Sequence, residues 1–170
     1  MSNSETNGMP GSEACFLGVY EHSLDPQRRL AIPSLWRNPG ENRFVLLPGR
    51  NKILQLIPYA SFRENFLAKA SKVSFANAGG SQALALLGSR AVDCICDKQG
   101  RIQMPQKLID YAEIKDAATL VGSVTTIQLW AQDRWAQNQV PDESYFDEVQ
   151  RISESPDDFF EMLRGPWQKT

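Results

Sequence analysis

The feature that most constrains this chain is a repeat inside it. Leu24-Asp25-Pro26-Gln27-Arg28-Arg29-Leu30-Ala31-Ile32-Pro33 aligns with Cys96-Asp97-Lys98-Gln99-Gly100-Arg101-Ile102-Gln103-Met104-Pro105 at an offset of 72 residues. Asp, Gln, Arg and Pro are identical, and apolar residues coincide at 24/96, 30/102 and 32/104. A second block, Gly49 to Ile57, aligns with Gly122 to Trp130 at an offset of 73, sharing Gly, Gln and Leu, and Phe62 then falls over Trp135. Two blocks in the same order, with an offset change of one, indicate duplication. A unit of about 50 residues is short for an independent core, so the two halves are expected to share one.

The repeat organises the chain into five parts. Residues 1–15, rich in Ser, Asn, Gly and Glu, read as a flexible tail. Residues 16–70 form the first repeat, 71–88 a connector punctuated by Ala78-Gly79-Gly80-Ser81, 89–138 the second repeat, and 139–170 an acidic, aromatic tail. Each repeat carries the same signals. Phe16–Leu24 and Ala91–Cys96 are β-rich runs that lead into a turn. Asp97 and Gly100 suit the first and fourth positions of a type I turn, and Asp25-Pro26 suits its first two. Arg29–Ile32 and Arg101–Met104 alternate polar and apolar residues, as half-buried strands do. Pro33 and Pro105 then suit the start of short helices, with Leu108, Ile109 and Ala112 as the apolar face of the second. Phe44–Leu47 with Ile53–Ile57, and Thr119–Gly122 with Thr126–Ala131, read as hairpins. Each repeat closes with a helix. Ser61 and Glu64 have capping-box spacing, with Phe62, Phe66 and Ala70 on one face, and Asp133 favours the dipole of the second helix.

Charge sharpens the picture. The net charge is −2, which by itself argues against a nucleic-acid partner. Residues 1–15 carry two acids and no base, and residues 138–170 carry eight acids and three bases; without those ends, residues 16–137 hold +5. The asymmetry therefore matters more than the sum. No apolar run approaches the roughly 18 residues of a membrane span, so no membrane partner is expected. No secretory signal is visible at the N-terminus. Cys15, Cys94 and Cys96 are an odd set, expected as free thiols in a reducing cytoplasm.

Two Asp-x-x-x-Arg turns between strands, each followed by an apolar-x-apolar-Pro step, resemble the MraZ family of bacterial transcription regulators, relatives of AbrB-type swapped-hairpin proteins. The closest stretch is Asp97 to Arg101, followed by Leu120-Val121-Gly122 and Leu129-Trp130, and the resemblance covers about residues 16–138. It implies an α+β, mainly β fold: a duplicated swapped-hairpin β-barrel with short peripheral helices, one chain doing what an AbrB-type dimer does. It also implies a ring-shaped homo-oligomer in the cytoplasm, associated with the nucleoid. Such a ring would bind double-stranded DNA at direct repeats upstream of the division and cell-wall gene cluster, with the Asp-x-x-x-Arg motifs as contacting elements.

Physical chemistry supplies a reason for the motif. Asp25 and Asp97 can accept backbone N–H bonds and hold the turns. Arg29 and Arg101 then project from rigid sites, with planar forks that match guanine O6 and N7 or a phosphate. Arg28 and Lys98 add positive charge at the same turns and suit phosphate contact. A ring would present many weak turns at once and gain affinity through avidity. The competing reading is that each Asp–Arg pair is an internal salt bridge that fixes its turn. The first turn also departs from the second, with Arg28 where the second has Gly100. If that position is left-handed, a side chain there costs roughly 1–2 kcal/mol.

Other features carry less. Cys94-x-Cys96 could begin a metal site, but four spaced ligands are not visible and core packing accounts for the pair. His22, the sole histidine, reads as a strand residue, which leaves no evident general base. Ala78 to Gln82 lacks the lysine and spacing of a phosphate loop. Trp130 and Trp135 suit core or interface packing. No catalytic constellation, cofactor or metal is expected. In the tail, Phe146, Val149 and Ile152 have helical spacing, and Tyr145, Phe159, Phe160 and Trp167 add apolar area; this end suits either a helix packed on its own barrel or a partly disordered end, against competition with DNA for the basic turns or docking on a neighbouring subunit. The rival overall reading is an assembly or partner-binding protein that keeps the barrel and has little DNA affinity.

Overall fold

The computed structural model describes residues 14–154, so the tail aromatics Phe159, Phe160 and Trp167 lie outside the described residues. The chain falls into two compact units that divide after Trp135. In the first unit, β1 (Val19–Ser23) and β2 (Arg29–Ala31) flank the Asp25 turn, and a single 3-10 turn at Ser34–Trp36 follows Pro33. β3 (Arg43–Pro48) and β4 (Leu54–Pro58) form a hairpin. A helix then runs through α1 (Tyr59–Phe62), a π turn at Arg63–Leu67 and α2 (Ala68–Ala70). After α3 (Ala78–Arg90) the order recurs: β5 (Val92–Ile95), β6 (Arg101–Gln103), α4 (Gln106–Tyr111), β7 (Ala117–Ser123), β8 (Thr126–Ala131) and α5 (Gln132–Gln137). The second unit contains α6 (Asp142–Glu154), with Phe146, Val149 and Ile152 at the helical spacing read from the sequence.

The repeats interleave. Six strands form an antiparallel sheet in the order β1-β7-β8-β4-β3-β5, and β2 pairs with β6 in a separate two-stranded ribbon. The first strand of each half thus pairs with the third strand of the other half, β1 with β7 and β5 with β3. Register follows the repeat: Leu30 faces Ile102 in the ribbon, and Gln55 faces Gln128 where the two hairpins meet. Matching bonds flank the turns, with the Leu24 N–H donating to Asp116 O and the Cys96 N–H to Asn42 O, both at 2.8 Å. The shift of one in the repeat offset is a net of two changes. Leu46 corresponds to Leu120 at an offset of 74 and Leu56 to Leu129 at 73, so the second half is two residues longer ahead of its hairpin and one residue shorter within the loop.

One expectation is corrected. The fold is mixed α/β with an antiparallel sheet, and that sheet does not close into a barrel. β1 and β5 are its two edges, because after each of these strands the chain leaves the sheet at the turn and enters the β2–β6 ribbon instead of bonding to the opposite edge.

The two halves bury their apolar residues in one shared core. Leu30, Leu54 and Leu56 of the first half meet Ile102, Ile127 and Leu129 of the second in one fully buried cluster. β8 alternates buried and half-buried residues, as a strand with one face in the core does. β3 instead buries four consecutive residues, Phe44 to Leu47. Its second face, Val45 and Leu47 with Ile57, is covered by Phe62 of α1 and Leu87 of α3. Covering helices are the reason a strand reads as a continuous apolar run.

Two local expectations also differ. The helix after β4 begins at Tyr59 behind Pro58, two residues before Ser61, so the capping box does not form. Ala78-Gly79-Gly80-Ser81 opens α3 instead of breaking the chain. The Asn77 side chain accepts the Gly80 N–H at 2.8 Å, and the Ala- and Leu-rich residues that follow have high helix propensity.

Candidate nucleic-acid interface

Both Asp-x-x-x-Arg turns fold by the same local bonds. Asp25 O accepts the Arg28 N–H at 2.9 Å, and Asp97 O accepts the Gly100 N–H at 3.0 Å. Asp25 Oδ1 accepts the N–H groups of Gln27 and Arg29 at 2.9 and 2.8 Å. Asp97 Oδ1 does the same for Gln99 and Arg101 at 2.9 and 3.0 Å. One carboxylate oxygen thus stitches each turn, as an Asx turn does. These contacts hold both carboxyls below the usual aspartate range; the backbone N–H of the motif arginine is the largest cause, and burial opposes it.

The second oxygen faces the arginine. Arg29 Nε donates to Asp25 Oδ2 at 2.6 Å, and Arg101 Nε donates to Asp97 Oδ2 at 2.9 Å. The β2–β6 ribbon places the two turns side by side, so the pairs also cross. Arg101 Nη1 lies 3.5 Å from Asp25 Oδ2, and Arg29 Nη1 lies 4.0 Å from Asp97 Oδ2. Two carboxylates and two guanidinium groups close into one network, with 31% of the Arg29 side chain and 26% of the Arg101 side chain exposed. The internal ion pair expected as the bland role of the motif is therefore present. In each arginine Nε carries the bond to its own aspartate and Nη1 the longer contact across the network, while Arg101 Nη2 donates to Gln99 Oε1.

The remaining candidates fall at the same place. Arg28 and Lys98 are exposed. Arg28 has φ of 61° and Gly100 has φ of 76°, so the two turns share a left-handed residue and Arg28 bears its steric cost, about 1–2 kcal/mol. Arg28 Nη1 donates to Gln106 Oε1 at 3.3 Å. Sequence reasoning missed Arg37. Its guanidinium lies against Gly100, where a Cβ would come within 2.2 Å of Nη1 and 2.4 Å of Cζ. A signal was available: an offset of 72 sets Arg28 over Gly100 and Arg37 over Ile109, so the two halves differ at both positions of one contact.

The other candidates sit elsewhere. Cys94 is buried in the core and Cys96 packs partly against it; burial pushes their thiols up to about 12 and about 11, which leaves them unreactive. Among the described residues, no three His, Cys, Asp or Glu side chains are grouped to hold a metal ion, and no helix is long and apolar enough to cross a membrane. His22 lies half-buried on β1 opposite Ala118. Trp130 and Trp135 pack edge to face at 5.2 Å.

Fold and site together define a duplicated antiparallel protein whose interleaved halves present two aspartate-anchored arginine turns side by side. A family model described as "MraZ protein, putative antitoxin-like" matches residues 87–154. The chain is 33% identical over 134 residues to the transcriptional regulator MraZ of Pelotomaculum thermopropionicum, covering 79% of this chain and 92% of the relative. It is 36% identical over 120 residues to that of Roseiflexus sp., covering 71% and 83%. The MraZ of Herpetosiphon aurantiacus is 34% identical over 139 residues, covering 82% and 94%. The chain belongs to the MraZ family, whose named members are transcriptional regulators.

Proposed function

We propose that this protein is a DNA-binding transcriptional regulator that reads direct repeats, upstream of a division and cell-wall gene cluster, through its two Asp-x-x-x-Arg turns. The observation that carries the reading is the pairing of two turns of one geometry at the two ends of a short antiparallel ribbon, joined across it by the Arg101–Asp25 contact, each with a part-exposed arginine whose Nε is fixed on its own aspartate. In this reading Asp25, Asp97 and Gly100 shape the turns, Arg29 and Arg101 read base edges, and Arg28 and Lys98 contact phosphates. Repeats 16–70 and 89–138 act as the two halves of one swapped-hairpin unit, doing in one chain what two AbrB-type copies do. The chain works as a ring-shaped homo-oligomer at the nucleoid, where several turns engage successive DNA repeats and avidity supplies the affinity. It needs no cofactor and catalyses no reaction.

A second reading has its own support. Because Arg29 and Arg101 are engaged by Asp25 and Asp97, the network could serve only to lock the ribbon of an assembly protein with little DNA affinity. Fluorescence anisotropy on a direct-repeat duplex and a scrambled duplex separates the two. DNA reading predicts that Arg29→Ala and Arg101→Ala each lose roughly ten-fold or more in affinity and most of the discrimination, as about 1–3 kcal/mol per bidentate contact requires. Variants that bind both duplexes as the parent does would remove these arginines from the interface.

A further inference from the structure

We propose that Arg37 is the second turn's counterpart of Arg28, a guanidinium delivered from the first half to contact the DNA backbone beside Gly100. The assignment rests on the DNA-binding reading above and adds a residue to it.

The two turns are equivalent at this position. Arg28 and Gly100 share the left-handed backbone conformation. Their carbonyls accept equivalent bonds, Arg28 O from the Met104 N–H at 2.9 Å and Gly100 O from the Ile32 N–H at 2.8 Å. A side chain at position 100 would therefore leave the backbone as that of Arg28 does. The space it would enter is filled by Arg37, whose Cδ, Cζ and Nη1 lie 2.6, 2.4 and 2.2 Å from an ideal Cβ. In the first turn the residue equivalent to Arg37 is Ile109, which is buried in the core and carries no charge. Each turn thus has one guanidinium beside it: that of Arg28 reaches from the left-handed residue to Gln106, and that of Arg37 lies over the left-handed Gly100. At the first turn it comes from the turn itself, and at the second it comes from the residue after the 3-10 turn of the other half.

Charge gives this exchange a purpose. Arg29 and Arg101 are neutralised by Asp25 and Asp97. Among the described residues neither Arg28 nor Arg37 forms an ion pair, and Arg37 Nε is buried without a hydrogen-bond partner. A guanidinium held next to a turn without a carboxylate is placed to accept an external anion, and a phosphate oxygen suits its fork. Packing alone would need neither charge nor a matching exchange at two positions.

The test is the salt dependence of binding to a direct-repeat duplex, read by anisotropy between 50 and 200 mM salt. Each lost phosphate contact lowers the magnitude of the log–log slope by about 0.9 per engaged chain. Arg37→Ile is expected to lower it by that amount, and Arg37→Lys to retain it. Arg37→Ile combined with Gly100→Arg transposes the first turn's arrangement onto the second and is expected to restore the slope. An unchanged slope in Arg37→Ile overturns this assignment alone, whatever the variant does to thermal stability. A parent that does not bind the duplex even at 50 mM salt overturns the DNA-binding reading and the assignment with it.

Discussion

Arg28 holds a backbone conformation that glycine adopts freely, with φ of 61°. Arg28→Gly is therefore expected to raise stability by about 1 kcal/mol in urea titration while weakening DNA binding. The turn aspartates give a pH signature. Both carboxyls are lowered on folding, so their stabilisation is complete above the unfolded value of about 3.9 and is lost as pH falls through the lower folded value. Urea midpoints are expected to fall below about pH 4, and the combined Asp25→Asn and Asp97→Asn variant to lose much of that dependence. Thr119 is fully buried on β7 with no hydrogen-bond partner for its hydroxyl. Thr119→Val should raise stability by about 1 kcal/mol, measured the same way. At this scale the geometry of the turns was legible, because Asp, Gln and Arg bond within one five-residue segment. Arg37 was hidden because its contact with Gly100 depends on how the halves interleave.

The strands and hairpins were legible from alternation and from the repeat, since each strand carries its own burial pattern. Their order was not, because antiparallel pairing across halves is non-local, and the same strands could serve a closed barrel or the open sheet found here. α3 was missed because Gly79 and Gly80 suggest a break, whereas the Asn77 cap and the following Ala-Leu run carry the helix. The offset change of one was visible in the sequence; the structure resolves it into two extra residues ahead of β7, partly cancelled by a hairpin loop one residue shorter than that between β3 and β4. Gly122 marks a close approach of two backbones. A Cβ there would lie 2.5 Å from Phe16 O and 2.6 Å from its carbonyl carbon, both backbone atoms that belong to the Phe16–Val124 bridge. Gly122→Ala is expected to cost about 1–3 kcal/mol and to lower the melting temperature by several degrees, a loss that a calorimetric scan resolves.

The net charge of −2 is the sum of a +5 duplicated body and two acidic ends. Removing residues 139–170 takes away −5 and leaves +3, so the truncated chain is expected to bind DNA several-fold more tightly at low salt, with the difference fading as salt screens it. Interleaving is what joins this charge to a site: pairing Leu30 with Ile102 sets the two turns together, and neither repeat could do that alone. The central claim is that these turns form the DNA-contacting surface. Amide hydrogen exchange of the chain with and without a saturating direct-repeat duplex tests it most directly. Slower exchange across 25–29 and 97–101 together, with the β4–β8 pairing unchanged, is the predicted result. A bound duplex that leaves exchange at both turns as it was would contradict it.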